Sequence, residues 1–377
     1  MKSKTKAYLF FCYTTLIVVM LSLSACLEDD DDENEEDRTA LTVKERVDAT
    51  ADLSIVVLGS GGPVATTAGR ASAGYLILVE GQPRILMDLG GGTFQRLAKT
   101  GYDLKDLDII LLSHLHVDHT SDLSSAIKTI YFHNLQAINA ANAANAANPG
   151  SATVPDQRTT AIRIFGPNSN VDGFPTTVEY VDGLYSASGV ERYLRNFPTA
   201  IEAGTFDYAV TDVDSNDDAS TATTIELISE TNSSDASKVL KVTAIGVDHG
   251  PVPSLAFRID YNGQSIVYTG DTTSNGAGGS ASPGTSNLET FADQAKLLIY
   301  DTAIMDADIP PQAIFKNLHT TPTRIGEVAN IANVGKLILS HITPATESRI
   351  AEVKTLITKN YTGVVEAADD LSVYNLK

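Results

Sequence analysis

The sequence predicts an α+β fold in which two β-sheets pack face to face with helices outside. Three observations carry this reading. From about Leu53 strand-like runs alternate with helical ones. The layout strand, Gly-Gln turn, strand, aspartate occurs twice, ending first at Asp88 and again at Asp271. Each copy is followed by helix-forming sequence, and two such halves bury their apolar faces by stacking sheet on sheet beneath helices.

The elements follow in chain order. Ser54–Leu58 is rich in β-branched residues and runs into the glycine turn Gly59–Gly62. Gly74–Glu80 and Arg84–Asp88 flank Gly81-Gln82 as a hairpin, and Phe94–Lys99 has the pattern of a short helix. Asp108–Ser113 is a buried strand that runs directly into a histidine cluster, and Ser121–Tyr131 is helical in pattern. The second copy is Leu255–Tyr261, the turn Asn262-Gly263-Gln264, and Ser265–Asp271. Three stretches read as insertions, near 134–160, 168–210 and 212–238. The first holds an Asn-Ala-Ala repeat, read as an exposed helical arm or a loose loop. Residues 168–210 have the character of a lid, and residues 212–238 that of a surface hairpin around Thr224–Ile228. Loops of this kind are where substrate choice is expected.

Residues 1–25 read as an export signal. Lys2, Lys4 and Lys6 precede the apolar stretch Tyr8–Leu21, which falls short of the ~20 residues needed to span a bilayer. Leu23-Ser24-Ala25-Cys26 is similar to a bacterial lipobox, which implies a lipidated Cys26 and a membrane-anchored, exported protein. Residues 26–50 form an acidic tether, with nine acids among the ten positions Glu28–Asp37. Residues 51–377 make one domain with insertions. Cys12 falls in the signal, so that domain holds neither a disulfide nor a cysteine ligand. The formal net charge is −20, and the domain stays acidic without the tether. Phosphates call for Lys and Arg, so nucleic acid is not expected as a partner, and the expected substrate is a small-molecule ester.

The chemistry is concentrated in His114-Leu115-His116-Val117-Asp118-His119. Burying three imidazoles and a carboxylate within six residues costs several kcal/mol unless each is paired or bound to metal. At the end of a strand, His114 and His116 point to one side, and Asp118 and His119 face a neighbouring position. This offers ligands to two ions. His133 has no motif around it and reads as structural.

A His-x-His-x-Asp-His run after an apolar strand resembles the metallo-β-lactamase superfamily, and the remaining motifs follow in that family's order. The resemblance covers about residues 53–375 outside the insertions, and it implies a four-layer αββα sandwich. It also implies two metal sites. One takes His114, His116, His249 and Asp271; the other takes Asp118, His119, His341 and Asp271. Asp271 would bridge the two ions, and Asp88 would orient a ligand histidine. A nitrogen and oxygen ligand set without cysteine suits two zinc ions, with manganese or iron as alternatives.

Within the superfamily, the layout of Asp301 and His319 ahead of His341 resembles the ribonuclease Z and arylsulfatase branch. There a histidine held by an acidic residue protonates the leaving group. Asp301 stands where a glutamate is common. The resemblance implies hydrolysis of a sulfate or phosphate ester, with Asp118 acting on the attacking water. A cyclic nucleotide phosphodiesterase and a lactonase are the alternatives on the same site. A non-catalytic surface lipoprotein that binds a glycan or partner is the alternative of another class.

Overall fold

The computed structural model describes residues 48–377 apart from 170, 172, 219, 276–285 and 308–313. The signal, Cys26 and nearly all of the acidic tether lie outside the described residues.

The first half of the chain runs β1 (Leu53–Gly59), β2 (Gly74–Val79), β3 (Gln82–Leu89), α1 (Thr93–Thr100), β4 (Ile109–Leu111), α2 (Val117–Thr120), α3 (Leu123–Ala147), β5 (Ile162–Pro167), α4 (Thr177–Tyr185) and β6 (Tyr208–Val213). The second half runs β7 (Ile225–Thr231), β8 (Val239–Val247), β9 (Ser254–Tyr261), β10 (Gln264–Tyr268), β11 (Leu297–Asp301), α5 (Ile314–Leu318), α6 (Pro322–Ile331), β12 (Lys336–Ser340), α7 (Ile350–Ile357), β13 (Val364–Ala367) and β14 (Val373–Leu376). One sheet has the order β14-β1-β2-β3-β4-β5-β6, the other β13-β12-β11-β10-β9-β8-β7. This is the sandwich expected from the sequence.

The sequence echo is a structural repeat. The turn between β2 and β3 is made by Glu80 and Gly81 at φ 50° and 74°, and that between β9 and β10 by Asn262 and Gly263 at 47° and 75°. Two-residue turns with both φ values positive match the twist of the strands they join. In each half the hairpin leads into a run of parallel strands, β3 to β6 and β10 to β13.

Side-chain alternation then divides the core. In β1, Leu53, Ile55 and Val57 face the space between the sheets, where they meet Phe257, Ile259 and Ile338. Val56 and Leu58 point the other way, under Ile127 and Ile130 of α3. The far face of the second sheet is covered in the same manner by Ile325 and Val328 of α6 and Val353 and Ile357 of α7. Each such side chain contributes about 1.5–3 kcal/mol of burial.

The stretches set apart in the sequence are woven into this frame. The Asn-Ala-Ala repeat extends a single helix, α3, because alanine propagates a helix that packing of Leu123–Tyr131 has already nucleated. The stretch at 168–210 packs Val181, Tyr185 and Leu194 on the outer face of the first sheet instead of forming a lid, and it leads into β6. The third carries the chain to β7, the edge strand of the second sheet.

Contacts beneath the histidine run fix its position. Asp122, just past α2, accepts hydrogen bonds from the backbone N–H groups of Gly92 (2.8 Å) and Phe94 (2.9 Å), capping α1 from outside. Gly90 lies so close to the Asp118 carbonyl that a Cβ would overlap it. Gly90→Ala is therefore expected to cost about 1–3 kcal/mol as overpacking, read as a lowered Tm, and to shift Asp118.

Candidate metal centre

Strand ends build the site. His114 follows β4, His249 follows β8, Asp271 follows β10 and His341 follows β12, while Asp118 and His119 lie on α2. Ligands in sheets of this kind gather where the parallel strands end. Two of the positions are strained: Asp88 has φ 51° and His341 has φ 54°. A non-glycine residue in that region costs of order 1–3 kcal/mol, so the surroundings must hold it there.

For Asp88 the holding contacts are plain. Its buried carboxylate accepts from the Ser113 N–H (2.7 Å), the Ser113 hydroxyl (2.6 Å) and the Tyr268 hydroxyl (2.8 Å). The fourth partner is Nδ1 of His119 at 2.7 Å. Three of these four donors converge on Oδ2 and one on Oδ1, which fixes the carboxylate on both sides. The bond to Nδ1 leaves Nε2 of His119 facing the site. His249 is oriented likewise: its Nδ1 donates to the Leu318 carbonyl at 2.7 Å, which frees Nε2.

The candidate ligands fall into two adjoining groups, His114, His116 and His249 in one, and Asp118, His119, Asp271 and His341 in the other, with ligand atoms in each within 4.8 Å of one another. Asp271 connects them. Its Oδ2 lies 3.1 Å from His341 Nε2 and its Oδ1 3.5 Å from His119 Nε2. The same Oδ2 is 3.9 Å from Nε2 of both His114 and His249. Asp118 Oδ2 is 3.3 Å from His341 and 3.5 Å from His119. Ligand atoms around a tetrahedral ion with bonds of about 2.0–2.1 Å stand roughly 3.3 Å apart.

Three of these atoms, Nε2 of His119, Nε2 of His249 and Oδ1 of Asp271, are buried with no hydrogen-bond partner. Unpartnered polar atoms gathered among these side chains are what bound cations satisfy, so the residues fit a pair of metal ions. The electrostatics divide along the same line. Burial pushes His114 well below its ordinary value of 6.5 and His249 down to about 4, so both are neutral and ready to ligate. Burial also presses on His119 and His341, but Asp271, with Asp88 for His119, outweighs it and holds both well above 6.5. Asp271 is itself held well below 3.8, because the charges of His341 and His119 overcome its burial. Without metal, the second group is a cage of ion pairs.

His319 and Asp301 sit beside the second group. Asp301 ends β11, and its Oδ2 is 2.7 Å from His319 Nδ1 while its Oδ1 is 3.3 Å from His341 Nδ1. Asp301 is paired with Ser340, next to His341, across β11 and β12, which brings its carboxylate to His341. One carboxylate thus contacts both a candidate ligand and the candidate proton donor. His133 is remote from these groups, its Nδ1 accepting from the Leu104 N–H at 3.0 Å.

Sequence reasoning gave no role to Ser113 or Tyr268, and both complete the shell of Asp88. A tyrosine closing the strand just ahead of Thr269-Gly270-Asp271 was the available signal. Asp88→Asn is expected to lower metal affinity about 10–100-fold, because the amide donates toward His119 and turns its lone pair away from the site; metal titration measures it.

Comparisons with known proteins agree with this geometry. The family model for anti-Pycsar protein Apyc1 matches residues 53–145. Ribonuclease Z of Mycobacterium avium is 27% identical over 333 residues, covering 85% of this chain and 96% of that protein. Ribonuclease Z of Mycolicibacterium gilvum is 26% identical over 326 residues, covering 85% and 94%. Among solved structures, the metallo-β-lactamase fold protein YhfI from Bacillus subtilis superposes with a TM-score of 0.54 at 18% identity, covering 86% of this chain and 99% of that one. The short form of human tRNase Z, ELAC1, gives 0.52 at 18% identity, with coverage of 86% and 99%.

These relatives overturn the expectation of a small-molecule ester substrate with no nucleic acid, since their names make them ribonucleases. The charge argument failed because net charge describes a whole surface, screened beyond about 10 Å. What a site can hold is decided by the groups within that distance, not by the sum over the chain. The chain has the metallo-β-lactamase fold, and ribonuclease Z-like proteins are among its homologues.

Proposed function

We propose that this chain is a dinuclear metal-dependent phosphoesterase acting on an RNA-like phosphodiester. The observation that carries the reading is the meeting of two ligand groups at Asp271, with the His319–Asp301 pair at 2.7 Å on their edge. Zinc suits the donors best, with manganese or iron as alternatives. A pair of cations held there would supply Lewis acidity, acidifying the attacking water and stabilising negative charge on the transferred phosphoryl group.

The chain's own residues supply the rest. Burial raises the affinity of Asp118 for a proton, but His119 and His341 outweigh it and hold the carboxylate far below its usual range. Asp118 therefore stays ionised and accepts a hydrogen bond from the attacking water, fixing its orientation. Burial works against the charge of His319, and Asp301 more than restores it, so His319 is held above its ordinary 6.5 and its protonated, acid form is favoured. That proton goes to the departing oxygen. In the same proposal the protein is exported and anchored through Cys26. Labelled palmitate incorporated by the full chain and lost in Cys26→Ala supports that part; equal labelling of both removes it.

The test is metal analysis joined to an assay. Purified protein is expected to hold two equivalents of metal and to cleave bis-p-nitrophenyl phosphate and a short RNA, with p-nitrophenyl sulfate as the sulfate arm. Two bound equivalents with no cleavage of either phosphodiester would overturn the reading.

A further inference from the structure

A cavity of about 450 Å³ opens against His319. Its walls are mainly apolar, drawn from Val64, Ile304, Met305, Phe315 and Pro344, and Arg349 stands at its edge. None of these residues comes from the stretches that look like insertions. Phe315 is 47% exposed and Val64 56% exposed, so two large apolar side chains face open space beside the ligand groups. Exposed apolar side chains gathered at one cavity mark a ligand-binding groove. Arg349 pairs with both carboxylate oxygens of Glu352 at 2.8 Å, and the Thr343 hydroxyl donates to the Ala303 carbonyl at 2.7 Å. The lining is thus apolar in the main, and the volume lies in the ~300–1,000 Å³ range of small-ligand sites.

Its position relative to His319 fixes what enters. Nδ1 of His319 is held by Asp301, which leaves Nε2 as the nitrogen that can reach substrate. If His319 protonates the departing oxygen, the group attached to that oxygen leaves on the side where His319 forms the wall. We infer that this cavity binds the leaving-group side of the substrate through an aromatic nucleobase stacked on Phe315. The inference rests on the phosphodiesterase reading above. It extends that reading from the phosphate to a specific neighbour, and it makes Phe315 a determinant of specificity.

The experiment uses the full chain loaded with zinc and three dinucleotides that share one scissile linkage: intact, abasic on the leaving side, and abasic on the other side. Removal of the leaving-side base is expected to lower kcat/KM about tenfold, mostly through KM, and removal of the other base by much less. Phe315→Ala should bring the intact dinucleotide down to the leaving-side abasic level, while Phe315→Trp should restore the difference. Equal losses from either abasic position would overturn the inference. A second arm needs no turnover: adenosine is titrated calorimetrically into wild-type and Phe315→Ala protein. Binding weakened about tenfold by the substitution supports the cavity even if no dinucleotide is cleaved, an outcome that sinks only the phosphodiesterase reading. Adenosine that fails to bind, or binds both proteins equally, overturns the cavity assignment whatever the activity.

Discussion

Asp271→Ala is expected to reduce bound metal from two equivalents to one or fewer and kcat/KM on phosphodiesters by on the order of a thousandfold or more. Asp271 is the one carboxylate among the described residues that approaches Nε2 of His341, His119, His114 and His249 together. Its loss removes the shared ligand and, with it, several kcal/mol of charge stabilisation at the phosphoryl group, each ~1.4 kcal/mol being a factor of ten in rate. Metal analysis and kinetics on one preparation check both effects. A variant that keeps two equivalents and full activity would remove Asp271 from the centre.

The metal-free variant gives an independent signature. Asp271 is held below its ordinary 3.8, so its contribution to stability is present above 3.8 and fades as pH falls through the lowered value. His119 and His341 are held above their ordinary 6.5, so theirs is complete below 6.5 and fades as pH rises through the raised values. The cage is strongest where both conditions hold. The Tm difference between wild-type and Asp271→Ala metal-free protein should therefore be largest between about 3.8 and 6.5 and shrink on either side. A difference that grew steadily toward alkaline pH would contradict this account.

What could be read in advance was what is local along the chain. The run His114–His119 carries its ligands within six residues, and the two hairpins announce themselves by strand alternation around short glycine turns. The unread part depends on long-range packing. Tyr268 meets Asp88 across 180 residues, and its place ahead of Asp271 does not say which partner its hydroxyl finds. The positive φ of Asp88 and His341 is invisible in residue type, because neither is a glycine. Asp122, beside the histidine run, turned out to cap a helix that begins some thirty residues earlier in the chain. Substrate choice is expected of the stretches between His119 and His249, and the cavity beside His319 adds a second place for it, lined by Pro63, Val64, Phe315, residues 303–305, 343–345 and Arg349. Those segments follow strand ends of both halves and share no motif, so only the folded sandwich brings them together.

His319→Ala should separate substrates by leaving group. For a dinucleotide or another diester with a poor alkoxide leaving group, kcat/KM is expected to fall about 10²–10⁴-fold, the usual worth of a positioned acid. For bis-p-nitrophenyl phosphate the loss should be small, because nitrophenolate departs without a proton. The pH profile supplies a readout that a merely structural role would not move. Wild-type activity on the poor substrate should decline as pH rises through the elevated value of His319, above 6.5, since deprotonation removes the acid. His319→Ala should lack that limb. Asp301→Asn should keep it but move it to lower pH, because burial then acts on His319 without the carboxylate to oppose it. Asp301 also contacts His341, so the comparison is made at two equivalents of bound metal. Undiminished turnover of the poor substrate by His319→Ala would transfer the proton to another donor, and with it the reason for placing the leaving group against Phe315.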